Sequence, residues 1–182
     1  MTLVYECRPS CEDVRLQIDF ENAVTASNDW LQVGEVLDGQ RRPEEFPSNV
    51  IIYVADHRAT EWDGFMVAGT RGLFSQRFVD TVGKPAFHGL TLLPAMLNGA
   101  TYYFLRCEEP VDCLDRSNAA FETFRCNPTV IKRITHYAFH SESLPADACF
   151  VLPELPDLLL TETVAQRLQA GNVKGVRVRP LP

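Results

Sequence analysis

The side chains that could form an acid–base pair or a metal site gather in one short segment. Asp112 and Asp115 follow Glu108 and Glu109, and Cys113 stands beside Asp112. Paired carboxylates can transfer protons or bind a hard cation, and a thiol can attack substrate when a base lies near it. The stretch Asp115-Arg-Ser-Asn is also typical of a turn in which Asp and Asn bond the local backbone. We expect that turn, so a small hydrolase using Asp112 and Asp115 is the alternative.

Other catalytic and metal-binding patterns are missing from the sequence. There is no Gly-x-Ser-x-Gly elbow, no phosphate-binding loop and no His-Glu-x-x-His pair. Zinc needs thiolates or imidazoles at short spacing, but the four histidines are scattered: His57, His88, His136 and His140. Because nothing indicates secretion, we expect the six cysteines to be reduced and mostly buried. We therefore predict no catalytic residue, no metal ligand and no cofactor.

The acidic residues are concentrated in the first third of the chain. The net charge is −7, yet residues 1–66 hold 13 acidic and 5 basic residues, a balance of −8, and the remainder carries +1. Nucleic acids and anionic membranes are poor partners for such a surface, whereas a basic protein is a suitable one. A solvated face that maintains solubility is the alternative. On the partner hypothesis, the candidate contacts are Glu12, Asp13, Glu44 and Glu45, together with Glu61, Trp62 and Asp63, where an aromatic anchor stands beside acids.

Length and hydropathy indicate a cytoplasmic chain of one domain, or one domain with a smaller lobe. No stretch approaches the roughly 18 consecutive apolar residues of a membrane span. The start of the sequence lacks the basic and apolar regions of a signal peptide. From the charge distribution we divide the chain into an acidic lobe, 1–66, and a core domain, 67–182.

An internal repeat organises the core domain. Segments 75–94 and 161–180 align without a gap, 86 positions apart, and the matched residues are Ser75 with Thr161, Phe78 with Val164, Val82 with Leu168, Phe87 with Val173, Gly89 with Gly175, Leu90 with Val176, Leu92 with Val178 and Pro94 with Pro180. Each copy predicts a hydroxyl-capped helix, ended by Gly83 or Gly171 in a left-handed turn, followed by a period-two strand. Such a unit exposes an apolar face and needs a sheet to pack against.

Further strands follow from β-branched and aromatic runs. We predict a hairpin from Leu3–Cys7 and Val14–Asp19, and further strands at Val50–Val54, Ala100–Cys107, Ala148–Leu152 and Leu158–Leu160. Segment Ile131–Phe139 is a strand whose buried face is ambiguous, with a helix as the alternative, and Asp38–Ser48 is a charged loop. The fold class is α+β, an antiparallel-rich sheet with few short helices and two copies of the capped helix–strand unit.

Three segments together resemble one bacterial family, polymorphic-toxin immunity family eleven, which was first filed as a domain of unknown function. The first is a tyrosine-rich strand that runs into Val-Asp-x-Leu-Asp and Ser at Tyr102–Ser117. The others are Ala148-Cys-Phe-Val-Leu-Pro and the closing helix–strand unit at Leu160–Leu181. The resemblance covers residues 60–182.

This resemblance implies a non-enzymatic cytoplasmic antidote, encoded beside a toxin that in such systems is often a nuclease. It implies no catalytic residues, and Asp112, Asp115 and Ser117 match the family pattern as framework. Contacts to the toxin would then lie in the acidic third, where charge can steer a basic partner. A scaffold or interaction module without a toxin is a further alternative.

Overall fold

The computed structural model describes residues 3–9, 29–48, 50–52, 60–67 and 71–182. These residues form eleven strands, β1 (Val4–Pro9), β2 (Ile51–Ile52), β3 (Gly64–Val67), β4 (Arg71–Ser75), β5 (Leu90–Leu97), β6 (Ala100–Cys107), β7 (Ala120–Phe124), β8 (Asn127–His136), β9 (Cys149–Val151), β10 (Leu158–Thr161) and β11 (Val176–Pro180). They also form three α-helices, α1 (Asp29–Leu37), α2 (Gln76–Val82) and α3 (Glu162–Ala170). The predicted α+β class, rich in antiparallel strands and with few short helices, is confirmed.

Two sheets carry the fold, and each contains one copy of the predicted repeat. One sheet has the strand order β2-β5-β6-β4-β3 and the other β11-β1-β10-β9, while β7 and β8 pair by themselves. The repeat is a strand, a helix and a strand, β4-α2-β5 in the first copy and β10-α3-β11 in the second. In each copy the two strands flank a third strand that is antiparallel to both, β6 in the first and β1 in the second.

Strand β1 takes the place of β6 in the second copy with the same register. Tyr103 of β6 pairs with Phe74 and Pro94, and Tyr5 of β1 pairs with Leu160 and Pro180. Leu160 and Pro180 stand 86 positions after Phe74 and Pro94, which is the offset of the repeat. The second copy is therefore completed by the first strand of the chain.

The helices of the two copies pack into one cluster between the sheets. Phe78, Val79 and Val82 of α2 meet Val164, Ala165 and Leu168 of α3 there. Each sheet also has an outer face with its own apolar cluster. On the five-stranded sheet α1 packs over Leu93 and Phe104. On the four-stranded sheet Ile134 of β8 packs with Val4, Phe150 and Leu159.

The helix caps follow the prediction at Ser75 but differ at Thr161. Ser75 Oγ accepts a hydrogen bond from the Phe78 N–H at 3.1 Å, as expected for an N-cap. Thr161 also stands at the N-cap, but its hydroxyl accepts from the Ala148 N–H at 3.0 Å and so binds β10 to the segment before β9. At the helix ends Gly83 has a φ of +85°. Gly171 was predicted in the left-handed region and is not, because Asn172 takes that conformation one residue later.

Two predictions about the N-terminal third need correction. The first strand does not form the predicted hairpin of Leu3–Cys7 with Val14–Asp19, because both edges of β1 are occupied by β10 and β11. Val14–Asp19 lies outside the described residues. The division into 1–66 and 67–182 does not follow the sheets either. The boundary falls inside β3, and β1 is an inner strand of the second copy.

The strand predicted at Ile131–Phe139 is β8, which begins earlier and ends at His136. Its alternation is broken, because Glu122 pairs with Arg133 and the next residue, Thr123, pairs with Ile131. Lys132 is therefore an extra residue, and such a bulge lets Ile131 and Ile134 share one face. Both pack into the apolar cluster of the four-stranded sheet, although strict alternation predicts opposite faces.

The other predicted segments lie close to their expected positions. Ala100–Cys107 is β6, Ile51–Ile52 lies inside Val50–Val54, and the predicted strands Ala148–Leu152 and Leu158–Leu160 contain β9 and most of β10. Loop Asp38–Ser48 contains one short 3₁₀ helix, Pro43–Glu45. The five described cysteines are free, and Cys7, Cys113 and Cys149 are buried. The helices in the described part of the chain are too short or too polar to span a bilayer.

Candidate functional site

The Asp115 carboxylate binds the backbone of its own turn, whereas the Asp112 carboxylate binds the Arg116 side chain. Asp115 Oδ1 accepts from the Ser117 N–H at 3.0 Å and Oδ2 from Asn118 Nδ2 at 2.7 Å. These bonds, the Asn118 amide first, hold the pKa of Asp115 below its ordinary value. Asp112 Oδ1 accepts from Arg116 Nη2 at 2.9 Å. The expected turn at Asp115-Arg-Ser-Asn is thus confirmed, and Ser117 contributes its backbone to it.

Cys113 stands two residues before Asp115 and is fully buried. Burial, then the charges of Asp112 and Glu154, raise the pKa of the Cys113 thiol to about 12. A thiol in this setting stays protonated at neutral pH and is a poor nucleophile. Glu154 is ion-paired with Arg116. In the described residues no group of three or more His, Cys, Asp or Glu side chains is arranged to hold a metal ion.

Asp63, predicted as a partner contact, is 3% exposed and binds both copies of the repeat. Its carboxylate accepts from Ser75 Oγ at 2.6 Å, from Arg77 Nε at 2.9 Å and from the Lys174 N–H at 2.7 Å. Burial alone would raise its pKa, but the hydrogen bonds from Arg77, Ser75 and Lys174 and the Arg77 charge outweigh burial and lower it. Asp63 therefore stabilises the fold and leaves little surface to a partner.

The other residues predicted to contact a partner differ in how exposed they are. Glu61, Glu44 and Glu45 are on the surface, with Glu45 ion-paired to Arg41 at 3.6 Å. Trp62 is half-buried against the core cluster of the five-stranded sheet. Glu12 and Asp13 lie outside the described residues. The structure does not bring Glu61 and the Glu44–Glu45 pair into one bonded cluster.

A groove with a volume of about 510 Å³ runs between β8 and the outer face of β1 and β11. Its charged lining residues are Glu6, Arg8, Glu122, Lys132, Arg133, Asp157 and Arg179, and its other lining residues include Ile134, Tyr137, Leu155 and Leu181. Arg8 is paired with Glu6 at 2.8 Å and with Asp157 at 3.0 Å. Arg133 is paired with Glu122 at 2.7 Å. The groove therefore combines satisfied ion pairs with apolar and aromatic surface.

Beside the groove, the hairpin β7–β8 carries large apolar side chains on the surface. Phe121, Phe124 and Val130 are 40%, 43% and 45% exposed. They are three of the five large apolar residues with such exposure in the described chain, the others being Leu3 and Met96. Because β7 and β8 pair only with each other among the described strands, each leaves one edge unpaired.

Sequence patterns alone do not reveal this surface. Glu6, Asp157 and Arg179 come from three distant segments and meet through the pairing of β1 with β11 and β10. The apolar hairpin is hard to recognise in the sequence, since Phe121, Phe124 and Val130 lie in a segment that also supplies residues to the core. No model of a known protein family matches the chain, and no curated protein matches it.

Proposed function

We propose that this protein binds and neutralises a cognate bacterial toxin in the cytoplasm by protein–protein contact. The observation that carries the proposal is the exposed apolar hairpin β7–β8. The sequence resemblance to an immunity family supports the choice of a toxin as the partner. Phe121, Phe124 and Val130 would supply the apolar centre of the interface.

The hairpin has the properties of a docking surface. Large exposed apolar side chains gathered on one hairpin are typical of protein interaction sites, and aromatic residues dominate the energetics of such interfaces. The side of the hairpin that packs on the body, through Ile131 and Ile134, fixes its position. Aromatic side chains have few rotatable bonds and lose little conformational entropy on binding, so more of their contact energy appears as affinity.

The acidic residues of the N-terminal third would act at longer range. Glu44 and Glu45 lie on the surface beside Arg41 and Arg42, and Glu61 is exposed. Charges at the rim of an interface chiefly raise the association rate and make it depend on salt. Reversal of Glu44 and Glu45 should therefore slow association with a basic toxin, and unchanged kinetics would remove these residues from the proposal.

Co-expression with the product of the neighbouring gene tests the proposal directly. We expect a stable complex and survival of cells that the neighbouring product alone kills. The double variant Phe121→Ser/Phe124→Ser should weaken the complex by about 30-fold or more, as loss of an interface hot spot does. Met96→Ser is the matched control, because Met96 is 38% exposed on β5, away from the hairpin. No complex and no protection by the unaltered protein would refute the proposed function.

A further inference from the structure

The two copies of the repeat differ in what covers their outer faces. In the first copy Leu93 pairs with Phe104, and α1 packs over both. The equivalent pair in the second copy is Arg179 with Glu6, in the same register. This pair does not lie under a helix but lines the groove beside β8. The position that α1 covers on the first copy thus carries, on the second copy, a charged pair that lines an open groove.

Two cations in the groove have no partner within the described chain. Arg8 and Arg133 are satisfied by carboxylates. The side chains of Arg179 and Lys132 both line the groove and make no hydrogen bond or ion pair with the described residues, although Arg179 stands opposite Glu6 in the strand register. Tyr137 lies beside them, half-buried and stacked on Phe139. Burial, then the charges of Asp157 and Glu6, raise the pKa of Tyr137 to about 12, so its hydroxyl remains a donor. Two free cations and a phenol are a suitable set of donors for carboxylates.

We infer that the groove binds an acidic, partly apolar segment of the partner protein, with its carboxylates paired to Arg179 and Lys132. The inference rests on the proposed function, since it assigns the place where a segment of the toxin docks. Leu155 and Leu181 supply apolar surface for the segment's other side chains. A toxin that is basic overall can present such a segment and still be steered by the acidic surface of this chain.

A peptide suits the groove better than a nucleic acid. Glu6, Glu122 and Asp157 line the same space as the cations. A phosphate backbone carries charge at every unit and would meet these carboxylates. A peptide segment can place carboxylates at the two free cations and neutral side chains elsewhere.

The first arm of the test uses synthetic peptides and the full chain. By isothermal titration calorimetry at neutral pH, we expect saturable binding of a short leucine-rich peptide that carries two glutamates, one for each of the two cations. The glutamine–leucine analogue should bind at least about tenfold more weakly, because it lacks charge. Lys132→Glu/Arg179→Glu should abolish binding, and Lys84→Glu, an exposed reversal elsewhere, should retain it. If the double reversal unfolds the protein, the milder variant Lys132→Gln/Arg179→Gln still tests the groove. It should weaken peptide binding at least about tenfold.

The second arm measures the complex with the neighbouring gene product and separates the two proposals. The glutamine double variant should raise Kd by about tenfold or more, as loss of charge-assisted contacts does. Equal binding of both peptides, or no effect of the groove variants, would overturn the groove assignment while the toxin complex stands. Tighter, groove-dependent binding of a single-stranded oligonucleotide would overturn the choice of a protein segment. Peptide binding without any toxin complex would instead overturn the proposed function alone.

Discussion

Asp63 lies where the two copies of the repeat meet, and its carboxylate receives donors from both. Ser75 and Arg77 belong to the first copy, and the Lys174 N–H belongs to the turn before β11 in the second. The Asp63 N–H donates in return to the Lys174 carbonyl at 2.8 Å. A buried carboxylate with this many donors is stable as a charge, whereas a neutral side chain offers too few acceptor sites for the Ser75, Arg77 and Lys174 donors.

Replacement of this carboxylate should cost stability in a pH-dependent way. Asp63→Asn should lower the free energy of unfolding at pH 7 by about 2–3 kcal/mol, since an amide cannot accept from all of these donors. The folded-state pKa of Asp63 is lowered, so its contribution is present above the unfolded value of about 3.9. That contribution is lost as pH falls through the lower folded-state pKa.

Urea unfolding of both proteins between neutral and acidic pH measures this effect. The difference between wild type and Asp63→Asn should shrink as the pH falls below about 4. Asp80→Asn is the control, because Asp80 is exposed and bonded to Gln76 of the same helix at 2.7 Å. A difference that stays constant with pH would show that the Asp63 charge does not stabilise the fold.

At the scale of elements, local signals in the sequence predict the helix and the strand of each copy, although the conformation expected at Gly171 is found at Asn172. A cap hydroxyl, an apolar stripe, a glycine and a period-two strand lie within 20 residues in each copy, so α2 with β5 and α3 with β11 follow from nearby residues. The bulge at Lys132 does not follow, because the pairing of β7 with β8 decides it. The Thr161 hydroxyl likewise binds Ala148, a partner that helix-cap rules do not consider.

The repeated glycine before β5 is required by both its conformation and its neighbours. Gly89 has a φ of +65°, and a Cβ built on it would lie 2.0 Å from the Glu109 carbonyl oxygen. Gly99 also has a positive φ, +85°, but a Cβ there would meet nothing within 4 Å. Gly99→Ala should therefore lower the free energy of unfolding by about 1–2 kcal/mol, which is the cost of the strained backbone conformation alone.

Gly89→Ala should destabilise the protein by at least about 3 kcal/mol, because the clash with the Glu109 backbone adds to the strain. Relief of the clash would disrupt the bonds from the Glu108 and Glu109 N–H groups to the Gly89 carbonyl, which are 2.8 and 3.1 Å long. Thermal and urea unfolding of both variants measure the comparison. Equal losses for Gly89→Ala and Gly99→Ala would mean that the close approach carries no energetic cost.

At the scale of the whole molecule, the duplicated architecture depends on a contact between the two ends of the sequence. β1 lies between β10 and β11, so the second copy forms only when residues 4–9 pair with residues 158–180. No pattern within either segment predicts this pairing, since β1 and a hairpin strand have the same local signature. The charged groove arises from the same pairing, which is why its residues have no common motif.

A circular permutant tests this arrangement. Leu181 N–H donates to the Val4 carbonyl at 3.0 Å, so a short glycine–serine linker can join residue 182 to residue 1. New ends between Ser141 and Glu142, both exposed, make β9, β10, α3, β11 and β1 consecutive in the chain. The permutant should unfold cooperatively, with a free energy of unfolding within about 2 kcal/mol of the parent, because every strand pair is retained.

Deletion of residues 1–9 is the opposite test of the same contact. It removes an inner strand together with Val4 and Cys7, which are 4% and 2% exposed. It also leaves the facing edges of β10 and β11 unpaired, and buried backbone groups without partners are strongly unfavourable. We expect this chain to lose cooperative unfolding or to aggregate, while the permutant, which keeps residues 1–9, folds. A deletion variant that unfolds as cooperatively as the parent would contradict the inner position of β1. A permutant that fails to fold would show that the order of the strands along the chain, as well as their pairing, determines whether the second copy forms.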